Sequence, residues 1–330
     1  MLKLFSRNTI VQALLILLVL VLLWLRPLLT PVPMQSGEHP AILYGLLCQW
    51  LSPHPLLAVI LAMVIVLVEG LMLNLLLANV GLVPQNSLLA TFLFVLATGA
   101  GATTLTPAIL VNGALVAALS QLLLRGTLLT ITSDKACGAT ALIGLATLFY
   151  QPAVVFLLSY FLIAANYRLY DWKDWAVLIL GFVAPYLPVL AYLYLFDGMA
   201  DWWQGTAEAL GTLSLQYGAA MPISLAGGLL LTILLLWSLA YTAGRLGERP
   251  VVWQKNATTV MLLIVGGLAL YFYQPIMPLR PGYWTIPFVF CLNRLLVGTA
   301  ENRTGYGRRR NRTWIFECAF DVAVIAAFLC

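Results

Sequence analysis

The chain has 330 residues, of which 62% are hydrophobic and only 9% are charged, with a mean hydropathy of +0.96 and a formal net charge of +5. Soluble globular domains carry roughly 25% charged residues, so a surface this poor in charge excludes an ordinary water-soluble protein and must face lipid. The basic residues lie between apolar runs and are not interleaved with base-stacking aromatics, which argues against a nucleic-acid partner.

Long apolar runs predict an all-α, polytopic transmembrane helical bundle. A helix that crosses the hydrocarbon core of a bilayer needs about 20 mostly apolar residues. Seven runs fit this requirement as single spans: 9–25, 55–79, 175–196, 221–243, 258–274, 281–298 and 314–330.

Two further runs are too long for one span, and each contains a break. The run 88–124 is interrupted by small residues from Gly99 to Thr104 and then by Pro107, and the run 136–167 is interrupted at Tyr150-Gln151-Pro152. Such a break either turns the chain at the far membrane face or kinks a helix. Counting two segments for each run predicts about eleven membrane segments in a single domain, 1–330.

The distribution of lysine and arginine favours two hairpins at these breaks. With two hairpins, nearly all basic residues share one side of the membrane: Lys3, Arg7, Arg125, Lys135, Arg168, Lys173, and those in 245–255 and 303–312. Only Arg26 and Arg280 fall on the other side. Because basic loops stay in the cytoplasm, the N-terminus is predicted to be cytoplasmic.

Two outer segments are long enough to carry function. The first, 26–54, contains the apolar stretch 41–51 with Trp50, which predicts an interfacial helix. The second, 197–220, has acidic residues, no basic residue and the pair Trp202-Trp203, which predicts another helix at the outer interface.

Glu69 lies near the middle of the second predicted span. An ionisable group at that depth costs at least about 2.5 kcal/mol and usually faces the bundle interior. Two interpretations remain open. Glu69 is either a proton or substrate site, or a protonated side chain hydrogen-bonded to a neighbouring helix near Asn74.

Three more ionisable residues fall in the last two predicted spans. Glu317 and Asp321 are four residues apart and share one helical face, and Arg294 lies near the cytoplasmic end of the preceding span. An ion pair between Arg294 and Glu317 is favoured over an acid/base dyad, because the sequence supplies no nucleophile beside the carboxylates.

The residues best suited to catalysis or to ligand binding lie on the predicted outer face. Glu38 is followed by His39 at the membrane surface, and a carboxylate in that position can serve as a catalytic general base, although solvated loop residues would look the same. Arg26 and Arg280 each adjoin proline at the outer end of a span. Both can bind a lipid phosphate in bidentate fashion or simply extend to the interface.

No cofactor or metal site is predicted. The five cysteines are far apart, and the two histidines have no cysteine or carboxylate at ligand spacing. The sequence also lacks a phosphate-binding glycine-rich loop and a hydrolase nucleophile motif, so no cofactor is identified.

The stretch from Gly138 to Gly198 resembles an uncharacterised family of multi-pass inner-membrane proteins of Bacteroidota. The shared features are the runs 144–152, 167–168, 172–175 and 181–186, together with Asn86-Ser87 and Pro107. The resemblance implies a bacterial inner-membrane location and no assigned activity.

The layout is also similar to that of polytopic GT-C glycosyltransferases, which take sugars from polyprenyl-phosphate donors. That resemblance implies that Glu38 occupies the region of the catalytic acid and Arg280 that of a phosphate contact. The sequence departs from the pattern because its first loop lacks an Asp or an Asp-Glu pair, and no soluble C-terminal domain follows.

Three functions therefore remain open. The first is a GT-C-like enzyme, or a degenerate relative, that handles polyprenyl-phosphate-linked sugar in envelope assembly. The second is a non-catalytic subunit that meets a membrane-protein partner in an envelope or secretion complex, and the third is a small-solute transporter. Membrane lipids are the partners common to all three.

Overall fold

The computed structural model describes residues 9–34, 41–99, 102–124, 132–169, 171–211, 236–273 and 285–301. Within these ranges the chain forms α-helices and two short 3-10 helices, Gln151–Val155 and Leu246–Glu248, and no β-strand. The predicted all-α class is therefore confirmed.

The α-helices follow one another with short connections. They are α1 Thr9–Leu23, α2 Leu25–Leu29, α3 Ile42–Leu51, α4 Pro55–Asn79, α5 Leu89–Gly99, α6 Pro107–Leu123, α7 Ser133–Phe149, α8 Phe156–Asn166, α9 Trp172–Val183, α10 Tyr186–Leu195, α11 Met199–Gly211, α12 236–244, α13 Val251–Tyr273 and α14 Thr285–Glu301. Buried apolar side chains from α1 through α14 pack into one continuous core.

Two of the described helices are long and apolar enough to cross a membrane. They are α4, with a mean hydropathy of 2.9, and residues Val251–Leu270 of α13, with 1.2. The pair α9 and α10 qualifies as a third span if it is counted as one helix bent by 45°. The other apolar helices have 10 to 17 residues. Because 17 residues rise only about 25 Å, these helices fall short of the roughly 30 Å hydrocarbon core.

The distribution of residue types on α4 is the opposite of that on a helix at the surface of a soluble protein. Apart from Asn79 at its C-terminal end, its exposed residues are large and apolar: Leu56, Leu57, Ile60, Val64, Val68, Leu71, Met72 and Leu75. Its buried face carries the small and polar residues together with several aliphatic ones: Ala58, Val59, Ala62, Val66, Glu69, Gly70, Leu73, Asn74, Leu76, Leu77 and Ala78. Large apolar residues outside and small or polar residues inside are typical of helices whose solvent is lipid.

Both predicted breaks in the long apolar runs are present. The helix α5 ends at Gly99 and α6 begins with Pro107, while α7 ends at Phe149 and the 3-10 helix that precedes α8 follows it. Proline is well tolerated at the first position of a helix, which explains why α6 begins there.

The helices on either side of a break have different neighbours. The most extensive contacts of α5 are with α4, α14 and α1, whereas α6 packs mainly against α7 and α4. Likewise α7 packs against α6 and α9, whereas α8 packs against α13.

The run 175–196, predicted as one span, is divided in the structure. Pro185 separates α9 from α10 and the axis bends by 45° there. Proline removes a backbone donor and crowds the preceding turn, which bends or ends a helix. The helices expected in the two outer segments are present as α3 and α11. Of the remaining predicted spans, 314–330 and most of 221–243 lie outside the described residues.

Candidate functional site: a cavity at the end of α7

A cavity of about 130 Å³ lies beside the C-terminal end of α7, next to the 3-10 helix that follows it. The lining comes from α7, the 3-10 helix, the junction of α9 with α10, the helix α11 and the start of α3. The lining residues described are Ala41, Ile42, Thr147, Leu148, Gln151, Val154, Phe182, Tyr186, Trp202 and Thr206.

One wall of the cavity is formed by Thr147 and Tyr186. The Thr147 hydroxyl donates to the Gly144 carbonyl at 2.6 Å, and its oxygen lies 2.5 Å from the Tyr186 oxygen. A hydroxyl has only one proton, so Tyr186 must be the donor in the second bond. The Tyr186 hydroxyl proton is therefore used in the bond to Thr147. The Tyr186 oxygen can still accept a hydrogen bond from a ligand in the cavity.

The opposite wall is formed by a hydrogen-bonded chain on α11. The Gln151 side-chain Nε2 donates to the Thr206 oxygen at 3.1 Å, and the Thr206 hydroxyl donates to the Trp202 carbonyl at 2.7 Å. The bond from Gln151 to Thr206 links the 3-10 helix to α11.

Close packing of α7 against α9 positions the Phe182 and Tyr186 side chains. A Cβ atom added at Gly144 would overlap the Phe182 carbonyl oxygen and lie 2.7 Å from Pro185 Cγ. A Cβ atom at Gly181 would overlap Thr140 Oγ1. Only glycine permits this approach, so the two glycines allow α7 and α9 to pack closely beside the cavity.

The helix α3 contributes its first turn to the cavity and is held by Tyr44. The Tyr44 hydroxyl donates to the Leu105 carbonyl at 3.2 Å, across 61 residues of sequence.

The lining is chemically neutral. None of the ten described residues that line the cavity is charged. Five have purely apolar side chains, and a sixth, Trp202, has only its indole nitrogen as a polar side-chain atom. Such a mixture, mostly apolar with a few fixed polar groups, is typical of sites that bind small molecules or lipid headgroups.

The predicted outer-face residues are only partly described. Arg26 lies on α2 with its side chain exposed and does not line the cavity. Glu38 and Arg280 lie outside the described residues, so their predicted convergence with Arg26 stays a prediction. In sequence, Glu38 comes three residues before Ala41, which lines the cavity.

Glu69 is buried at the contact between α4 and α6. Its side chain is 5% exposed, and neither carboxylate oxygen has a hydrogen-bond partner among the described residues. A Cβ atom added at Gly113 of α6 would overlap Glu69 Oε1, so the carboxyl group lies directly against that glycine. The Glu69 carboxyl group therefore lies in the interior of the helical bundle, as expected for an ionisable residue in a membrane span.

Asn74 faces a different neighbour. Five residues separate it from Glu69, which corresponds to about 140° around the helix. Asn74 shares its face with Gly70, four residues earlier, and Gly70 lies against Thr91 and Phe94 of α5. Neither Glu69 oxygen has a hydrogen-bond partner in the described chain, so Glu69 is not hydrogen-bonded to Asn74.

Arg294 stacks on an aromatic ring in α13. Its guanidinium lies 5.0 Å from the centre of the Trp253 ring, and Arg249 lies 5.9 Å from the same ring. The predicted partner Glu317 and its neighbour Asp321 lie outside the described residues, so the proposed ion pair stays a prediction.

Sequence reasoning did not identify the cavity residues. Gln151 was noticed only as part of a helix break, and Trp202 only as an interfacial anchor. Thr147 in α7 and Gln151 in the 3-10 helix are four residues apart, and this polar pair was the available signal. It is weak, because the other walls come from segments at least 31 residues away in sequence.

Comparisons with protein-family models, curated proteins and solved structures find no match. The two resemblances drawn from the sequence therefore stay predictions. The described residues also contain no group of three or more His, Cys, Asp or Glu side chains placed to hold a metal ion.

Proposed function

We propose that the chain is an integral protein of a bacterial inner membrane, with a cytoplasmic N-terminus and about eleven membrane segments. In this proposal the short apolar helices are membrane-embedded too, because they also expose large apolar side chains. On α1, for example, Ile10 is 75% and Leu14 is 63% exposed. Helices too short to span are accommodated in a bilayer when other helices cover their ends.

We further propose that it handles a polyprenyl-phosphate-linked sugar, in the manner of a GT-C-like protein or a degenerate relative. The observation that carries this proposal is the cavity beside α7, with its fixed polar groups and its position next to an apolar outer surface. On α10, Leu187 is 61% and Leu195 is 76% exposed. A prenyl tail can lie along that surface while the headgroup enters the cavity.

The outer-face residues have defined roles in this proposal. Glu38 is the general base for an acceptor hydroxyl, and Arg26 and Arg280 contact the lipid phosphate outside the cavity. Charge-assisted bonds from arginine to phosphate are among the strongest available to such a site. The proximity of Glu38 to Ala41 in sequence supports its inclusion.

A cavity-filling variant tests the proposal. Thr206→Trp should fill the cavity and abolish the copurification of polyprenyl-linked lipid, measured by mass spectrometry of the native protein extracted with its bound lipids. Gln204→Trp is the matched control, because Gln204 is exposed on the same helix and does not line the cavity. Equal lipid retention by both variants would contradict binding at this site.

Small-solute transport is the second candidate, and Glu69 is the observation that favours it. A buried carboxyl without a hydrogen-bond partner in the described chain is the type of group that carries protons in transporters. Proton uptake by proteoliposomes that Glu69→Gln abolishes would favour this candidate over the first.

A further inference from the structure

We propose that the cavity beside α7 selects a neutral sugar headgroup, rejects anionic sugars and leaves the lipid phosphate outside. This inference rests on the proposed function, since it names the part of the lipid-linked ligand that enters the cavity. It also assigns ligand contacts to the residues Tyr186, Gln151, Thr206 and Trp202.

The first argument is the absence of charge. None of the ten described lining residues carries a charge, and an ionised group taken from water into such an environment without a partner is strongly disfavoured. Among the described lining residues, only the neutral N–H groups of Gln151 and Trp202 can donate to an anion, and no cation is present to offset its loss of hydration. A neutral group does not suffer this loss.

The second argument is the direction of the hydrogen bonds. The three hydroxyl protons at the cavity are already committed: Thr147 donates to Gly144, Tyr186 to Thr147, and Thr206 to the Trp202 carbonyl. What these hydroxyls offer to a ligand is their lone pairs. An anion only accepts hydrogen bonds, whereas each sugar hydroxyl can donate one.

The third argument is the aromatic surface. Trp202, Phe182 and Tyr186 line the same cavity and supply three aromatic rings to its surface. A sugar ring has an apolar face of C–H groups and a rim of hydroxyls, so it can contact these rings and the oxygens of Thr206 and Tyr186 together. An alkyl chain could contact the rings but has no proton to donate to the lone pairs of the Thr206 and Tyr186 oxygens.

The specificity is tested with three lipids that share one prenyl chain. The protein in nanodiscs of zwitterionic lipid is titrated with polyprenyl-phosphate hexose, polyprenyl-phosphate hexuronic acid and polyprenyl phosphate alone. The hexose lipid should bind at least about tenfold more tightly than each of the other two. A soluble methyl hexoside should bind more weakly than the hexose lipid, since it lacks the tail.

The two failures are distinguishable. If none of the three lipids binds, or the soluble glycoside binds as tightly as the hexose lipid, the proposed lipid-linked function itself is wrong. If all three lipids bind with equal affinity, that function stands and the selection of a neutral sugar is overturned.

Paired variants locate the binding. Tyr186→Phe and Trp202→Leu should each weaken binding of the hexose lipid by about fivefold, because each removes one contact. The matched controls, Tyr192→Phe on α10 and Trp203→Leu on α11, alter side chains that are 54% and 67% exposed and should leave the affinity unchanged. The two test residues lie on different walls, so a folding defect in one variant leaves the other informative. Equal losses in tests and controls would overturn the assignment.

Discussion

Glu69 illustrates how the environment of a single residue follows from the helix that carries it. Its carboxyl group lies against Gly113 of α6, where the missing side chain leaves room for it. The sequence predicted an inward orientation from the cost of an ionisable group in lipid, and the buried side chain agrees with that prediction. The neighbour could not be predicted, because Gly113 is 44 residues away and carries no chemical signal of its own.

Substitutions at Glu69 should separate size from charge. Glu69→Gln keeps the shape without a titratable group, and we expect its thermal stability in detergent to remain near that of the wild type. Glu69→Lys places a cation in the same buried position without a described partner, which should destabilise the protein by about 3–5 kcal/mol. Equal melting temperatures for the two variants would indicate that the side chain reaches water or lipid headgroups.

At the scale of helices, the contact between α7 and α9 depends on glycine. Gly144 and Gly181 each face backbone of the other helix, so the two axes approach more closely than larger residues permit. This contact places the Pro185 bend and Tyr186 beside Thr147. The sequence predicted a broken apolar run, 136–167, and a span, 175–196, but the pairing of α7 with α9 is a tertiary property.

Alanine substitutions measure this contact. Gly144→Ala and Gly181→Ala should each lower the free energy of unfolding by about 1–3 kcal/mol, because the added methyl group meets backbone atoms that cannot yield locally. Gly138→Ala on α7 is the control, since a Cβ atom there meets nothing within 4 Å, and alanine should stabilise the helix by about 0.5–1 kcal/mol. Thermal unfolding of the three variants is the measurement, and a Gly144→Ala protein as stable as Gly138→Ala would rule out the close approach.

At the scale of the whole molecule, the distribution of charge determines the proposed orientation. Four basic residues of the described chain lie over aromatic rings: Arg249 and Arg294 over Trp253, Arg245 over Tyr241, and Lys255 over Tyr167. Basic and aromatic side chains together are typical of a cytoplasmic membrane interface.

Reporter fusions test the orientation. A fusion after Gly305 should be active as a cytoplasmic reporter, and a fusion within 200–215 should be active as a periplasmic one. The expected result follows from the number of spans between the two positions and from the basic loops. The reverse pattern at both positions would contradict the proposed topology and the eleven-segment count.

The sequence alone determined that this chain is helical, that it contains helices long and apolar enough to cross a membrane, and where its long apolar runs break. These properties follow from composition and from local signals such as Gly99, Pro107 and Pro152, which act on their own segment of chain. The bend at Pro185 was equally local and was missed because apolar residues continue through it. The candidate site is different, because Ala41, Thr147, Tyr186 and Trp202 come from four segments. Only tertiary packing brings them together. Helices in lipid associate through complementary shape and hydrogen bonds, and neither produces a periodic pattern in the sequence from which the pairing could be predicted.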